Sequence, residues 1–356
     1  MKRLSCVMAA ILAAALAASA MAKEEAPAGA GKDIVMLKSG QQMLNVNVTD
    51  ETYEAVKING EAKPAAEIES IKHGDMPPKY MAADSNFRQF QLENAIKNYQ
   101  EARTAPARPW LKHYCDYYIG RCYQLLAEAS AGQGAVKYAT EAVNQFAALI
   151  KENPKGFWVP SAMTYMGQCY FSLGGADNLA NALKVFQQIE QANMGPSWAL
   201  RARLWEGKIL TAQGKSEDAV QALTKVAVDA KEKYADIYND TQIALAEAYI
   251  SEKKYKDAED LLKKLIDSTE KDEVRAAAHN TLGDCYMQQN KVKEARLEYL
   301  RTDVLYFMVK DQDARALYSA AECFELLKDK ERADKLRDDL KKNYPDSVWA
   351  RKITGG

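Results

Sequence analysis

Residues 274–310 read V-R-A-A-A-H-N-T-L-G-D-C-Y-M-Q-Q-N-K-V-K-E-A-R-L-E-Y-L-R-T-D-V-L-Y-F-M-V-K. Apolar and small side chains recur here at three- and four-residue intervals rather than in alternation, which marks helices and not strands. The pattern predicts two helices that meet near Gln289-Asn290-Lys291. Gly283 and Ala295 are small where the two would touch, and Leu282, Tyr286 and Tyr299 are large beside them. One such pair cannot cover its own apolar face, so the stretch predicts neighbours of its own kind.

Those neighbours are present on both sides. Gly120-x-x-Tyr123 is followed by Ala142, Phe146 and Pro154, and Gly167-x-x-Tyr170 by Ala182 and Phe186. Gly207-x-x-Leu210 leads to Ala219 and Leu223, Leu245-Ala246-x-x-Tyr249 to Ala258 and Leu262, and Ala321-x-x-Phe324 to Ala333, Leu340 and Pro345. A weaker copy, Ala95-x3-Tyr99, comes before them with a poor first helix. Successive small residues at 120, 167, 207, 246, 283 and 321 are 47, 40, 39, 37 and 38 apart. The first step is longest because Ala127 to Gly134 adds a loop or lengthens a helix.

With His279-x-x-Leu282-Gly283-x-x-Tyr286, then Ala295 and Tyr299, the unit resembles the tetratricopeptide repeat, W-x2-L-G-x2-Y followed by A-x3-F and P, whose period is about 34 residues. The resemblance implies a mainly α fold, an α-solenoid of about six to seven antiparallel helix pairs over residues 79–352, ending in a tail at 353–356. It also implies a binding scaffold in which the first helix of each pair lines a concave groove. The residue after the small one should then face the groove: Arg121, Gln168, Lys208, Glu247, Asp284 and Glu322. Three residues before the small one stand Tyr117, Thr164, Leu204, Ile243, Asn280 and Tyr318. The groove would run from basic or neutral to acidic, with Tyr114, Tyr117, Arg121 and Lys208 suited to an extended peptide or an acidic tail, since aromatics and Arg dominate interface hot spots. The same positions read equally well as a solvated helix face. The Lys/Asn clamp that some members use for a C-terminal carboxylate is not found at these positions.

Several first helices open alike, with Arg108-Pro109-Trp110, Trp158-Val159-Pro160, Pro196-Ser197-Trp198 and Pro345-Asp346-Ser347-Val348-Trp349. Proline is tolerated in a first helical turn, and each Trp is placed to wedge against the preceding pair. The last of these, P-D-S-V-W-A, resembles the repeat boundary of bacterial envelope tetratricopeptide proteins.

The N-terminal end is different. Lys2 and Arg3 precede an apolar run, Leu4 to Ala18, and Ala20-Met21-Ala22 forms a small-residue cleavage site. Residues 1–22 are therefore expected to be a secretory signal peptide, or else an uncleaved anchor. Cys6 opens the apolar run rather than following it, which argues against lipid attachment there. No later stretch is long and apolar enough to span a membrane. The expected product is exported, to the periplasm or beyond the cell. Residues 23–32 read as a flexible leader; Gly29-Ala30-Gly31-Lys32 lacks the first glycine and the Ser/Thr of a phosphate loop.

Residues 33–75 change to strand patterning. Ile34 to Leu37 precede the turn Lys38-Ser39-Gly40, and Leu44, Val46 and Val48 alternate with asparagines. Tyr53 to Ile58 end at Asn59-Gly60, a hairpin signal. Ile68 and Ile71 mark a last strand. Four short strands are expected, resembling a small SH3-like or Sm-like barrel.

Chemistry is sparse. With 48 basic and 49 acidic residues the chain is near neutral, which gives no electrostatic case for nucleic acid. Cys115, Cys122, Cys169, Cys285 and Cys323 remain after the leader, four of them at one repeat position. Equivalent positions on neighbouring pairs are about 10 Å or more apart, and seven helical residues span ~10.5 Å, beyond the ~7 Å Cα limit of a disulfide. Five free, mostly buried thiols are expected. His73, His113 and His279 show no metal-ligand spacing, and no G-x-S-x-G nucleophile motif occurs. No catalytic residue, metal or cofactor is expected. The apolar run Val304 to Val309 either packs under the next pair or forms an exposed docking patch.

The sequence thus points to an exported, non-catalytic scaffold that binds protein or peptide partners through the concave face, in envelope assembly or maintenance. A self-associating structural protein and a cell-wall-binding protein acting through the β module are the alternatives.

Overall fold

The computed structural model describes residues 33–104 and 110–354. The expected leader at 1–32, Arg108-Pro109 and the final two residues lie outside them.

Residues 33–50 and 56–76 form one compact unit; Glu51–Ala55 and the chain from Pro77 onward form the other. The first unit contains β1 (Asp33–Leu37), β2 (Gln42–Val46), β3 (Val48–Glu51), β4 (Ala55–Ile58), β5 (Glu61–Pro64) and β6 (Ile68–Lys72). They make two three-stranded sheets, β2-β1-β6 and β3-β4-β5, with β1 antiparallel to both neighbours. The expectation of four strands is therefore corrected to six, and the sheets do not close into a barrel. β5, E-A-K-P, is exposed along most of its length and has no alternation to reveal it. β2 and β3 read as one run, but Asn45 has a φ of 56° and the chain passes at Asn47 from one sheet to the other. The Asn47 N–H donates to the Asn59 side chain at 2.8 Å, and the Asn59 N–H returns to the Asn47 carbonyl at 2.8 Å. Asn59 and Gly60 have φ of 51° and 89°, the mirror-image turn that Asn-Gly favours. Val35, Val46, Val48, Val56, Ile58, Ile68 and Ile71 fill the interior. Buried Asp33 accepts from the N–H groups of Val48 (2.8 Å) and Gly74 (3.1 Å) and lies 3.2 Å from His73. Burial would raise its carboxyl, but His73 and these N–H groups outweigh burial and hold it at about 2.

The second unit holds fifteen helices among the described residues. Seven pairs run in order: α1 (Pro78–Arg88) with α2 (Leu92–Arg103), α3 (Trp110–Glu128) with α4 (Gly132–Glu152), α5 (Val159–Leu173) with α6 (Gly175–Gln191), α7 (Pro196–Ala212) with α8 (Ser216–Ala230), α9 (Ala235–Ser251) with α10 (Tyr255–Ser268), α11 (Asp272–Gln288) with α12 (Val292–Leu305), and α13 (Lys310–Leu326) with α14 (Lys330–Asn343). α15 (Val348–Thr354) ends the stack. The long first step is taken up by helix length, α3 and α4 having 19 and 21 residues.

Within a pair, a missing Cβ sets the spacing. A Cβ at Gly120 would stand 2.5 Å from the Phe146 ring, at Gly167 2.6 Å from Phe186, at Gly207 2.5 Å from Leu223 and at Gly283 2.5 Å from Tyr299. All four partners are almost wholly buried, so none can step aside. Ala246 and Ala321 take the glycine's place in two other pairs. The turn between the helices also repeats. Gly214, Lys253, Asn290 and Lys328 adopt φ of 75°, 62°, 58° and 60°, and the N–H of each following residue reaches back to Leu210, Tyr249, Tyr286 and Phe324, every time at 2.9 Å.

Between pairs, first helices also pack on first helices, as in α7–α9, α9–α11 and α11–α13, whereas second helices mainly touch the first helices on either side. Trp158 stacks on Tyr117 of the preceding pair at 4.2 Å, Trp349 lies 5.3 Å from Tyr318, and Trp110 meets Tyr80 edge-on at 6.2 Å, the wedging that their places in sequence implied. The five cysteines are free and buried, and burial pushes Cys115, Cys122, Cys169 and Cys323 up to about 12, leaving inert thiols.

Two glycine substitutions separate packing from helix propensity. Gly167→Ala is expected to destabilise by about 1–3 kcal/mol, because overpacking outweighs the helical gain. Gly134→Ala, whose Cβ would meet Ser130 at an ordinary 3.5 Å, should stabilise by roughly 0.5–1 kcal/mol. Chemical denaturation of both variants checks the contrast.

Candidate functional site

Because each small residue faces its second helix, the residue after it is turned by about 100° toward the face lined by first helices. Arg121, Gln168, Lys208, Glu247 and Asp284 are half-buried there, and Glu322 is exposed. Four of the six have defined partners. The Arg121 guanidinium lies 3.6 Å from the centre of the Tyr165 ring. It also donates to Gln124, whose amide donates to Glu128, so a polar ladder runs along α3. The Lys208 ammonium stands 4.9 Å from the Trp205 ring. Asp284 accepts from the Tyr299 hydroxyl at 2.7 Å and pairs with Arg315. Glu322 pairs with Arg337 at 3.2 Å. Glu247 has no ion pair among the described residues.

Tyr114 and Tyr117 are buried, at 3% and 6% exposure. The Tyr114 hydroxyl donates to Glu51 at 2.6 Å, and its ring meets Trp158 edge-on. Tyr117 is covered by Trp158. Of the residues one turn before the small position, Thr164, Leu204 and Asn280 are buried, and Ile243 and Tyr318 half-buried.

An open cleft of about 290 Å³ lies between α9 and α11, lined by Glu247, Ile250, Thr281, Asp284, Met287 and Gln288. It brings two of the six sequence-predicted residues together. The apolar walls Ile250 and Met287 stand one turn beyond Glu247 and Asp284, just as the rings Tyr165 and Trp205 stand one turn before Gln168 and Lys208. The i, i+3 spacing that joins side chains on one helix face could have found all four. Burial raises the carboxyl of Glu128 at the end of α3 against the pull of Arg121 and Gln124, and Asp311 at the start of α13 adds to the rise.

The histidines serve local packing. His73 meets Asp33, His113 contacts the Asn153 amide at 3.1 Å, and His279 contacts Glu298 at 2.8 Å beneath the Tyr306 ring. Among the described residues no three metal-binding side chains gather, and no helix is long and apolar enough to cross a membrane. One carboxyl on α7 is unusual. Glu206 has a buried Oε1 without a partner, and burial first, then Glu190, push it up to about 7 against the pull of Arg203.

Comparison with known proteins places this geometry. Residues 108–303 match the family model of the tetratricopeptide repeat-like domain, and residues 315–347 that of the tetratricopeptide repeat. Among solved structures the chain is similar to a tetratricopeptide repeat protein from Parabacteroides merdae, at 15% identity and a TM-score of 0.53, over 75% of this chain and 92% of that one. It is similar also to a Rap protein complexed with competence and sporulation factor, at 14% identity and a TM-score of 0.52, over 77% of each chain. A third is the apo quorum sensor NprR from B. thuringiensis, at 16% identity and a TM-score of 0.51, over 74% and 75%. At such identities the likeness is one of fold. No curated protein matches the sequence.

Glu206 gives the helical unit a pH dependence. A carboxyl raised in the folded state makes folding take up a proton between its unfolded value, about 4.5, and about 7, so stability falls as pH rises through that window. Glu206→Gln should raise the thermal midpoint by roughly 2 °C at pH 8 and leave it nearly unchanged at pH 4. Calorimetry at the two pH values checks this.

Proposed function

The chain belongs to the tetratricopeptide repeat family, and from this we propose that it is a non-catalytic scaffold holding an extended protein or peptide along the face made by its first helices. The observation that carries the reading is the arrangement of that face. Six successive first helices carry Arg121, Gln168, Lys208, Glu247, Asp284 and Glu322 at one repeat position, with Trp158 stacked on Tyr117 near the first of them. Flat rings under cations at Tyr165 and Trp205 offer rigid contact area at low entropic cost. The cleft at Glu247 suits a basic side chain of the partner: its aliphatic stem lies against Ile250 and Met287 and its charge meets the one groove carboxylate left without an ion pair. The Rap relative, solved with competence and sporulation factor, supports a ligand-holding role for this fold.

We assign the protein to the cell envelope as an exported chain. The support is the positive start at Lys2 and Arg3, the apolar run to Ala18 and the small-residue site at Ala20-Met21-Ala22.

Site-specific photo-crosslinking in the native envelope fraction tests both the role and the face. A crosslinker at Gln168, Lys208 or Glu247 is expected to capture a common partner, and one at Lys225 or Lys264, exposed on second helices, to capture none. Glu247→Gln should weaken that partner by about 1.5 kcal/mol, roughly tenfold. Capture from the second-helix positions alone would move the site off this face. Capture from no position would remove the scaffold reading.

A further inference from the structure

The apolar segment between α12 and α13 is exposed, not packed under the following pair: Val304, Leu305, Phe307 and Met308 are 56–68% exposed. Tyr306 and Val309 are half-buried, the Tyr306 ring 5.7 Å from His279 and 27° from parallel. Four outward apolar side chains give such a segment little reason to hold one conformation, so its restraint must come from polar contacts at its ends.

Those contacts exist. Asp303, in the last turn of α12, and Asp313, in the first turn of α13, bracket the segment. Asp313 is 2% exposed. Its Oδ2 accepts from the Tyr344 hydroxyl, and that hydroxyl also reaches the Phe307 carbonyl at 3.2 Å. Its Oδ1 is buried with no donor facing it. What Asp313 does face is the carboxyl of Asp303. The other groups acting on the two acids are Asp339 of α14, on Asp303, and Tyr344 just beyond that helix, on Asp313, and no basic side chain acts on either acid among the described residues. Two carboxylates in contact, Asp313 buried and Asp303 half-buried, repel, while a single proton between them turns repulsion into a strong O–H···O⁻ bond.

We propose that Asp303 and Asp313 share one proton and so form a clasp that closes the exposed apolar segment 304–309, and that loss of this proton opens it. With the proton in place, Asp313 donates to Asp303, and Tyr344 offers its one hydrogen to Asp313 Oδ2 and the Phe307 carbonyl together. When the proton leaves to solvent, two anions confront each other. Asp313 then draws the Tyr344 hydrogen wholly to itself, and the Phe307 carbonyl loses its donor. Burial, opposed by Tyr344 and reinforced by Asp303, pushes Asp313 up to about 7, so the clasp works in the neutral range. Because the pair is coupled, its proton belongs to both residues.

Hydrogen exchange of the full chain at pH 5.5 and 8.5, corrected for intrinsic exchange, reads the clasp directly. Protection of residues 304–312 is expected to fall at least tenfold from the lower to the higher pH, while α10 keeps its protection. Asp313→Asn imitates the protonated acid, its amide donating to Asp303, and should hold the segment equally at both pH values. Equal protection of the wild-type segment at both values overturns the proposal, as does a pH dependence that persists in Asp313→Asn. Should that variant fail to fold, Asp303→Asn, which removes the opposing charge, decides by the same reading.

Discussion

In four of the helix pairs a glycine on the first helix lies against a large buried side chain on the second, with no room for a single carbon between them. That contact sets the distance between the helices, and helix separation depends on the side chains at the crossing. The rest of the helical unit follows from it. Two residues further along the first helix comes the cysteine position, buried between adjacent pairs: the Cys285 thiol lies 3.7 Å from the Tyr255 carbonyl of the preceding pair, and Cys323 lies 3.5 Å from the Met287 sulfur, while Ile209 fills the same place after Gly207. Between the two, one residue after the glycine, comes the position proposed to face a partner. Packing and recognition therefore share one register, and a change in the first would rotate the second.

Electrostatics on the groove face is largely settled within the chain. Asp284 and Glu322 have arginine partners, Arg121 lies on a ring and extends a polar ladder, and Lys208 lies near a tryptophan. The division into a basic half and an acidic half, plain in the sequence, thus becomes a row of mostly answered charges with Glu247 as its open point. A partner on such a face gains more from shape and aromatic contact than from a long-range field.

Some of this was legible in advance and some was not, for physical reasons. The pairs were readable because a small residue and a large one recur at fixed offsets, and both are needed for the helices to meet. β5 was hidden because E-A-K-P is exposed and carries no period-two pattern. The burial of Tyr114 and Tyr117 was hidden because Trp158, some forty residues later, covers them. The segment 304–309 stayed open between packing and exposure: its side chains favour burial, but Val304, Leu305, Phe307 and Met308 are exposed among the described residues, and periodicity within a segment says nothing about what lies opposite. The six residues after the small position were read from offset alone, which gave no sign of the rings and ionic partners around them.

The unequal packing of the two helix layers has a mechanical consequence. First helices bear on one another along the stack, while second helices touch mainly the first helices beside them. Such a stack bends about its inner layer, as a leaf spring bends about its clamped edge, with the outer helices splaying or closing by small slides. Each joint contributes a little, so compliance is spread along the whole stack instead of sitting at one hinge. Small changes in the spacing of successive pairs can therefore add up along the stack while every glycine contact stays closed.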